Sequence, residues 1–316
     1  MSVLVINFNG AALLRQFLPA VCALNYPHLQ VYVVDNASTD DSVAYVQQHH
    51  PAVTVIRHNR NLGFAEGYNQ VIQQLTSDYY LFLNNDVLVA PSLVTTLVNF
   101  LEAAPERAVC QPKILDYRRQ DHFEYAGAAG GLLDGFGYPF ARGRILHACE
   151  KDEGRYDADC EIFWATGACL FIKARYFHTV GGFWPHYFML SEEVDLCWRI
   201  QMAGGSIWYT SAATVYHVGG ASLQATDPNK TYLNFRNNWM MLYRNLPKQY
   251  FRRRVFPARL VLDIAASVYL LFTAGPSHTA AVYRALFYFL RWHHPSKRLH
   301  AQYPFLKMKG VLPASV

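Results

Sequence analysis

Tyr79-Tyr80-Leu81-Phe82-Leu83-Asn84-Asn85-Asp86 decides the fold. An apolar run of this length reads as a buried strand, and it passes directly into three polar side chains. Such groups at the tip of a buried strand cost stability unless something binds there. Working outward, similar apolar runs occur at Val3–Ile6, Val31–Val34, Val53–Ile56 and Val109–Ile114. Helical spacing fills the gaps, over roughly Ala11–Cys22, Asp40–His49, Ala65–Leu75 and Ser92–Ala104. Repeated βα units imply a mostly parallel sheet covered by helices on both faces. Ligands of such sheets bind outside the carboxyl ends of the strands. Asn7 and Asn9, Asp35 and Asn36, and Asn84 to Asp86 all fall there.

The chemistry of these positions follows from residue type. Asp35 can accept hydrogen bonds from a nucleobase or a ribose hydroxyl, or it can shape the turn while Ser38 or Asp40 caps the next helix. In Asn59-Arg60-Asn61-Leu62-Gly63-Phe64, Gly63 permits a tight turn and close backbone approach, which serves a nucleotide or the turn alone. Asp86 fits a carboxylate holding Mg²⁺ or Mn²⁺ against a diphosphate leaving group, because such cations take only one or two protein ligands beside phosphate and water. It also fits a turn residue before Pro91. Glu192, Glu193 and Asp195 open a helix, where acids suit the helix dipole. One of them, aimed into a cleft, can act as a general base on an acceptor hydroxyl. His217 after a strand near Ala213–Tyr216 reads alone as structural.

Composition narrows the class. The chain has 316 residues, about half of them apolar, enough for one large domain and an extension. Its start lacks the pattern of a secretory signal peptide, and the six cysteines form no Cys-x-x-Cys pair, so they read as reduced thiols of a cytoplasmic protein. Charge is divided. From residue 231 onward there are 13 Lys or Arg against the single acid Asp263, so the overall +5 splits into +12 for this tail and −7 for the rest. An anionic partner for the tail is implied. The basic residues sit among apolar helices (Leu260–Thr273 and Ala280–Trp292, split by Gly275-Pro276) and no nucleic-acid module is present.

In their order along the chain, the motifs resemble glycosyltransferase family 2, and within it the bacterial rhamnosyltransferase-like members. The likeness covers about residues 3–245. It runs through Val5-Ile6-Asn7-Phe8-Asn9-Gly10, Val34-Asp35-Asn36-Ala37-Ser38-Thr39-Asp40, Asn61-Leu62-Gly63-Phe64-Ala65, Leu83-Asn84-Asn85-Asp86, Thr166-Gly167-Ala168 and Glu192-Glu193-Val194-Asp195-Leu196. The resemblance implies an α/β domain of the A-type nucleotide-sugar-binding fold (GT-A) over 1–230, with a nucleotide half (1–115) and an acceptor and catalytic half (116–230). A basic helical extension, 231–316, follows. It also implies an inverting, metal-dependent transferase. Asn9, Asp35, Asn61, Gly63, Phe64 and Asn85 would address the nucleotide, and Asp86 and His217 the Mg²⁺ or Mn²⁺. Trp164, Thr166, Gly167, Ala168 and Glu192 would line the donor-sugar and acceptor pocket, and Glu193 would be the base. Two departures stand out: Asn84 replaces an acid common in the metal motif, and Glu193 stands where Asp is usual, which keeps Glu192 open as the base.

The expected donor is a nucleotide-diphosphate sugar (dTDP-rhamnose or a UDP-sugar), and the acceptor a glycan or lipid-linked hydroxyl in cell-surface polysaccharide synthesis. A sugar-phosphate nucleotidyltransferase would need a Gly-rich, Lys-bearing phosphate loop that is lacking after the first strand. A non-catalytic carbohydrate- or nucleotide-binding scaffold would fit the single metal carboxylate. Leu260–Thr273, about 14 residues long, is short of the ~20 needed to span a bilayer. The extension therefore reads as interfacial helices on the anionic inner face of the cytoplasmic membrane, the competing reading being packing on the catalytic domain or on a second copy in a homodimer.

Overall fold

The computed structural model describes residues 1–145, 147–219, 226–292 and 307–312. In chain order the first half contains β1 (Ser2–Asn7), α1 (Ala11–Cys22), β2 (Gln30–Asp35), α2 (Ser42–His49), β3 (Thr54–Arg57), α3 (Gly63–Ile72), β4 (Tyr79–Asn84), β5 (Val87–Leu88), α4 (Leu93–Glu102) and β6 (Arg107–Asp116). Short strands follow: β7 (Gly131–Asp134), β8 (Pro139–Ala141), β9 (Arg144–Ile145), β10 (Ala148–Cys149) and β11 (Cys160–Glu161). Then come β12 (Cys169–Lys173), α5 (Ala174–Thr179), α6 (Glu192–Met202), β13 (Ser206–His217), α7 (Pro228–Asn245), α8 (Lys248–Tyr250), α9 (Phe256–Thr273), α10 (Pro276–Arg291) and β14 (Val311–Leu312).

The two-residue alternation of strands sorts side chains onto two faces. Val3 and Val5 of β1, Leu81 and Leu83 of β4 and Phe171 of β12 meet Leu14 and Leu18 of α1, Val46 of α2 and Leu93 and Leu97 of α4. Their neighbours Leu4, Tyr80, Phe82, Leu170 and Ile172 meet Tyr68 and Val71 of α3, Phe177 of α5 and Leu196 and Trp198 of α6. Trp239 to Leu242 of α7 join this second cluster, so the start of the extension packs into the same core.

The main sheet runs β11-β13-β6-β12-β4-β1-β2-β3, with β5 paired to β13. β4, β1, β2 and β3 are parallel, as are β6 and β13. The sheet is mixed because β12 enters antiparallel between β4 and β6. This reversal positions the site: Cys169 pairs with Leu83, so the chain just before it, Thr166 to Ala168, crosses the carboxyl end of β4. Register gathers the polar strand ends. Asn7 lies opposite Asp35, and Ile6 opposite Asn84. A bulge in β13 between Thr210 and Thr214 shifts its register, and His217 then pairs with Val87, immediately after Asp86.

The tail departs from expectation. Lys248–Thr273 is one helical run of 26 residues, long and apolar enough to cross a membrane by length and composition. The expectation of a helix beginning at Leu260 and too short to span is thus corrected. A π turn, Phe251–Val255, carries the chain past Pro257, whose missing N–H would otherwise end a helix. Yet Arg259, Asp263 and Ser267, one turn apart on the inner face of α9, are buried. Arg259 pairs with Asp263 at 3.2 Å and lies 3.6 Å from the Tyr138 ring centre, while the Tyr138 hydroxyl donates to Asp263. One face of α9 is therefore docked through polar groups on the turn between β7 and β8. Gly275, at φ 97°, and Pro276 then turn the chain into α10, which packs against α7. Lys297 and Arg298 lie outside the described residues.

Candidate active site

Three depressions run side by side along the carboxyl edge of the sheet. The first is walled by Phe8, Asn9, Asn36, Asn61, Gly63, Phe64 and Asn85. The second is walled by Asn84, Asp86, Thr166, Gly167, Ala168, Glu192 and His217. The third is walled by Tyr125, Tyr138, Trp164, Ser191, Asn234 and Arg259. Phe64, Asn84 and Met189 border the first two, and Leu190, Glu193 and Lys230 the last two.

In the first depression, Asn9 adopts φ 51° and its amide oxygen accepts from Thr39 N–H at 2.8 Å, pinning the loop after β2. Asn61 Oδ1 accepts from Gly63 N–H at 2.9 Å, and Gly63 turns at φ 73°. A Cβ there would lie 2.3 Å from the Phe188 carbonyl oxygen, so only glycine fits this turn. Asn85 donates to Asn7 Oδ1 at 2.9 Å. Asp35 stands behind the wall rather than on it. Its fully buried carboxylate accepts from Asn7 Nδ2 at 3.1 Å and from Ser38 N–H at 3.0 Å, with Arg57 at 3.6 Å. Through these bonds Asp35 holds the loop that presents Asn36 and faces Asn9.

At the floor of the second depression, Asp86 Oδ1 and His217 Nε2 are 3.1 Å apart, both side chains buried, with Asn84 Nδ2 3.4 Å from the same nitrogen. Burial opposes charge on His217, but Asp86 and Glu124 outweigh it and push its pKa up to about 10. The 3.1 Å spacing of Asp86 Oδ1 and His217 Nε2 suits neighbouring ligands of one cation at roughly 2.1 Å each. Among the described residues no three His, Cys, Asp or Glu side chains gather into a cage. The donor set suits a cation that shares its coordination with phosphate and water.

Glu192 and Glu193 begin α6 after a strained approach. Phe188, Leu190 and Ser191 all take positive φ (64°, 72° and 73°) without being glycine. Fully buried Asn237 of α7 clasps this segment, donating to the carbonyls of Tyr187, Met189 and Leu190 at 3.1, 2.8 and 2.6 Å. Burial pushes the Glu193 carboxyl up to about 7. Burial and then the neighbouring Glu193 charge push Glu192 well above the carboxylate range. One oxygen of each, Oε2, is buried without a hydrogen-bond partner among the described residues. Glu192 faces only the second depression, whereas Glu193 stands between the second and third. Asp195 belongs to the scaffold. It is fully buried, and Arg199 Nε, Asn245 Nδ2 and the Tyr187 hydroxyl donate to it at 2.7, 2.7 and 3.0 Å, with Arg244 at 3.2 Å.

Residues 2–196 match the family model described as "Glycosyl transferase family 2". The chain belongs to glycosyltransferase family 2. Among curated members, it is 27% identical over 233 residues to N-acetylglucosaminyl-diphospho-decaprenol L-rhamnosyltransferase of Mycobacterium tuberculosis, covering 68% of this chain and 75% of the relative. It is 25% identical over 199 residues to the rhamnosyltransferase WbbL of Escherichia coli, covering 60% and 73%. In fold, it is similar to the mannosyltransferase PcManGT of Pyrobaculum calidifontis, solved with GDP-Man and Mn²⁺, with a TM-score of 0.57 and 18% identity over 90% of this chain and 74% of that one.

In this family-2 glycosyltransferase the remaining site residues sort by depression. Thr166, Gly167 and Ala168 border the Asp86–His217 floor, and Ala168 O accepts from Asn84 N–H at 3.1 Å. Trp164 borders the third depression, its indole N–H donating to Leu132 O at 2.9 Å. Glu124, Lys230 and Asn237 were not singled out by the sequence. Glu124 lies in a Gly-rich irregular stretch without periodicity, and Lys230 and Asn237 look like ordinary residues of a polar helix.

Proposed function

We propose that this glycosyltransferase moves a sugar from a nucleotide-diphosphate donor to a hydroxyl of a glycan or lipid-linked acceptor, with inversion at the anomeric carbon. The observation that carries the reading is the position of Glu193 between the depression containing Asp86 and His217 and the groove containing Trp164. The nucleotide occupies the first depression, where half-exposed Phe8 offers a ring to the base. Asp86 and His217 would hold Mg²⁺ or Mn²⁺, which supplies charge neutralisation for the departing diphosphate. Lys230, beside both depressions, adds a nearby cation.

Glu193 removes the proton of the acceptor hydroxyl. The acceptor oxygen bonds to the anomeric carbon as the carbon–oxygen bond to phosphate breaks, and that electron pair leaves with the nucleoside diphosphate. A base pKa near 7 suits this task, since its conjugate forms readily at neutral pH. Both named relatives are rhamnosyltransferases, which supports a rhamnose donor and a role in cell-surface polysaccharide synthesis; dTDP-rhamnose is the first donor to test and a UDP-sugar the second. Incubation with each nucleotide sugar and Mn²⁺ tests the reading. Release of the nucleoside diphosphate from one donor, with the sugar appearing in the inverted configuration by NMR, is expected. Absence of release from every donor, with or without glycan acceptors, counts against it.

The same reading places the protein peripherally on an anionic membrane surface. α9 and α10 expose Val261, Val268, Tyr269, Phe272, Phe287 and Leu290, with Phe272 82% exposed. Arg252, Arg253, Arg254, Arg284 and Arg291 are exposed beside them in sequence. With the polar stripe of α9 docked inward, an outward apolar face flanked by arginines suits the headgroup region rather than a span. Replacing Arg252, Arg253 and Arg254 together by Gln should weaken binding to phosphatidylglycerol vesicles on the order of a hundredfold at low salt, from about 1 kcal/mol per cation. Co-sedimentation checks this, and equal binding of both proteins would exclude the electrostatic attachment.

A further inference from the structure

His217 is held from both sides. Its Nε2 faces Asp86, and its Nδ1 lies 3.1 Å from Glu124 Oε2, angled away from a straight hydrogen bond. Glu124 comes from the irregular stretch after β6, and backbone pairing fixes it there: its N–H donates to Ile114 O at 3.0 Å, and the adjacent Phe123 bridges to Leu115. Its carboxylate is buried, and Oε2 also accepts from Ala126 N–H at 2.6 Å. On the other side is Gly219, at φ 69°, where a Cβ would lie 2.6 Å from Glu124 Oε1. The carboxylate therefore has little room to move. A buried carboxylate is costly unless it is paired, and among the described residues this one pairs with His217.

An imidazole can offer a lone pair from only one nitrogen while the other carries the proton, and a hydrogen-bond acceptor on one side selects which. Carboxylates behind metal-bound histidines orient the ring and fix its tautomer in this way. We propose that Glu124 is a positioning residue that keeps the proton on His217 Nδ1, so that Nε2 and Asp86 together face the divalent cation. The assignment rests on the metal-dependent reading above. It explains why one carboxylate in the metal motif suffices: the second protein ligand is a neutral imidazole oriented by a carboxylate that does not itself reach the cation. It also gives a function to Gly219, since any side chain there would press on Glu124.

Two measurements test it. In the first, Mn²⁺ is titrated into the protein with UDP, dTDP or GDP present, and free Mn²⁺ is followed by electron paramagnetic resonance. Glu124→Ala should weaken Mn²⁺ binding by about 10- to 100-fold, whereas Glu124→Gln, which keeps an acceptor oxygen facing Nδ1–H, should retain most of it. In the second, ¹⁵N NMR of histidine-labelled wild type with Mg²⁺ and the nucleotide should show His217 protonated at Nδ1. This readout does not depend on whether Glu124→Ala folds. Wild-type Mn²⁺ affinity in Glu124→Ala, or a proton on Nε2 in the Mg²⁺ complex, overturns the assignment and leaves the transferase reading intact. Failure of the wild type to take up Mn²⁺ with any of these nucleotides removes the metal site and this assignment with it.

Discussion

Glu193→Gln lowers the rate of sugar transfer by about 10²- to 10⁴-fold, the usual contribution of a positioned general base, and leaves nucleotide binding unchanged. Gln keeps the shape of the side chain and removes only the proton acceptor. The loss should therefore appear in kcat, with donor affinity by calorimetry matching the wild type. Glu192→Gln is the paired control. Glu192 faces the donor side alone, and burial beside the Glu193 charge disfavours its ionised form, so the substitution should cost far less. The wild-type pH profile follows from the same geometry. The base works deprotonated, and burial lifts its pKa to about 7, so activity should rise as pH increases through that value and then level off. A severe loss in Glu192→Gln with near-normal activity in Glu193→Gln would move the base by one residue.

Asp195→Ala destabilises the fold by about 3–5 kcal/mol, because removing one member of a buried ionic cluster strands the others. Arg199 and Arg244 converge on this carboxylate from α6 and α7, and Asn245 and Tyr187 complete its hydrogen bonds. Chemical denaturation read by tryptophan fluorescence measures the loss. Burial works against the charge of Asp195, but Arg199 and Arg244 prevail and hold its pKa below the usual carboxylate value. A lowered folded-state pKa gives stability that is present above the unfolded value of about 3.9 and is lost as pH falls through the folded one. The acid limb of the wild-type stability curve should accordingly be steeper than that of Asp195→Ala. A loss below about 1 kcal/mol would show that the cluster contributes little more than a surface ion pair.

Much of the architecture is legible in the sequence because a buried strand has few ways to end. Tyr79 to Leu83 must be covered on both faces, and Asn84 to Asp86 must emerge at its carboxyl end; both follow from polarity alone. The antiparallel entry of β12 is not legible, since its stretch 169–172 is as uniformly apolar as a parallel strand. Periodicity cannot report strand direction. The helix from Lys248 is hidden for a local reason, because Pro257 and three consecutive arginines read as a break, while the backbone passes them through a π turn. In the site, Asp86, Glu193 and the Gly63 turn stand out because each opens or closes an element. Glu124 and Asn237 do not, because their roles arise only when β6 pairs with β13 and when α7 packs over the strained segment 188–191. Asp35 is legible only as an alternative: an acid at a strand tip suits a ligand or a turn, and its hydrogen bonds to Asn7 and Ser38 are those of a turn-shaping residue.

The most direct test of the central claim is titration calorimetry of dTDP, UDP and GDP, each with and without Mn²⁺, on the wild type and on Asp86→Ala. A metal-assisted donor site at Asp86 and His217 predicts that one nucleotide binds the wild type with Mn²⁺, binds far more weakly without it, and loses that difference in Asp86→Ala. Binding of no nucleotide under either condition, or Mn²⁺-enhanced binding that survives Asp86→Ala unchanged, would contradict the account.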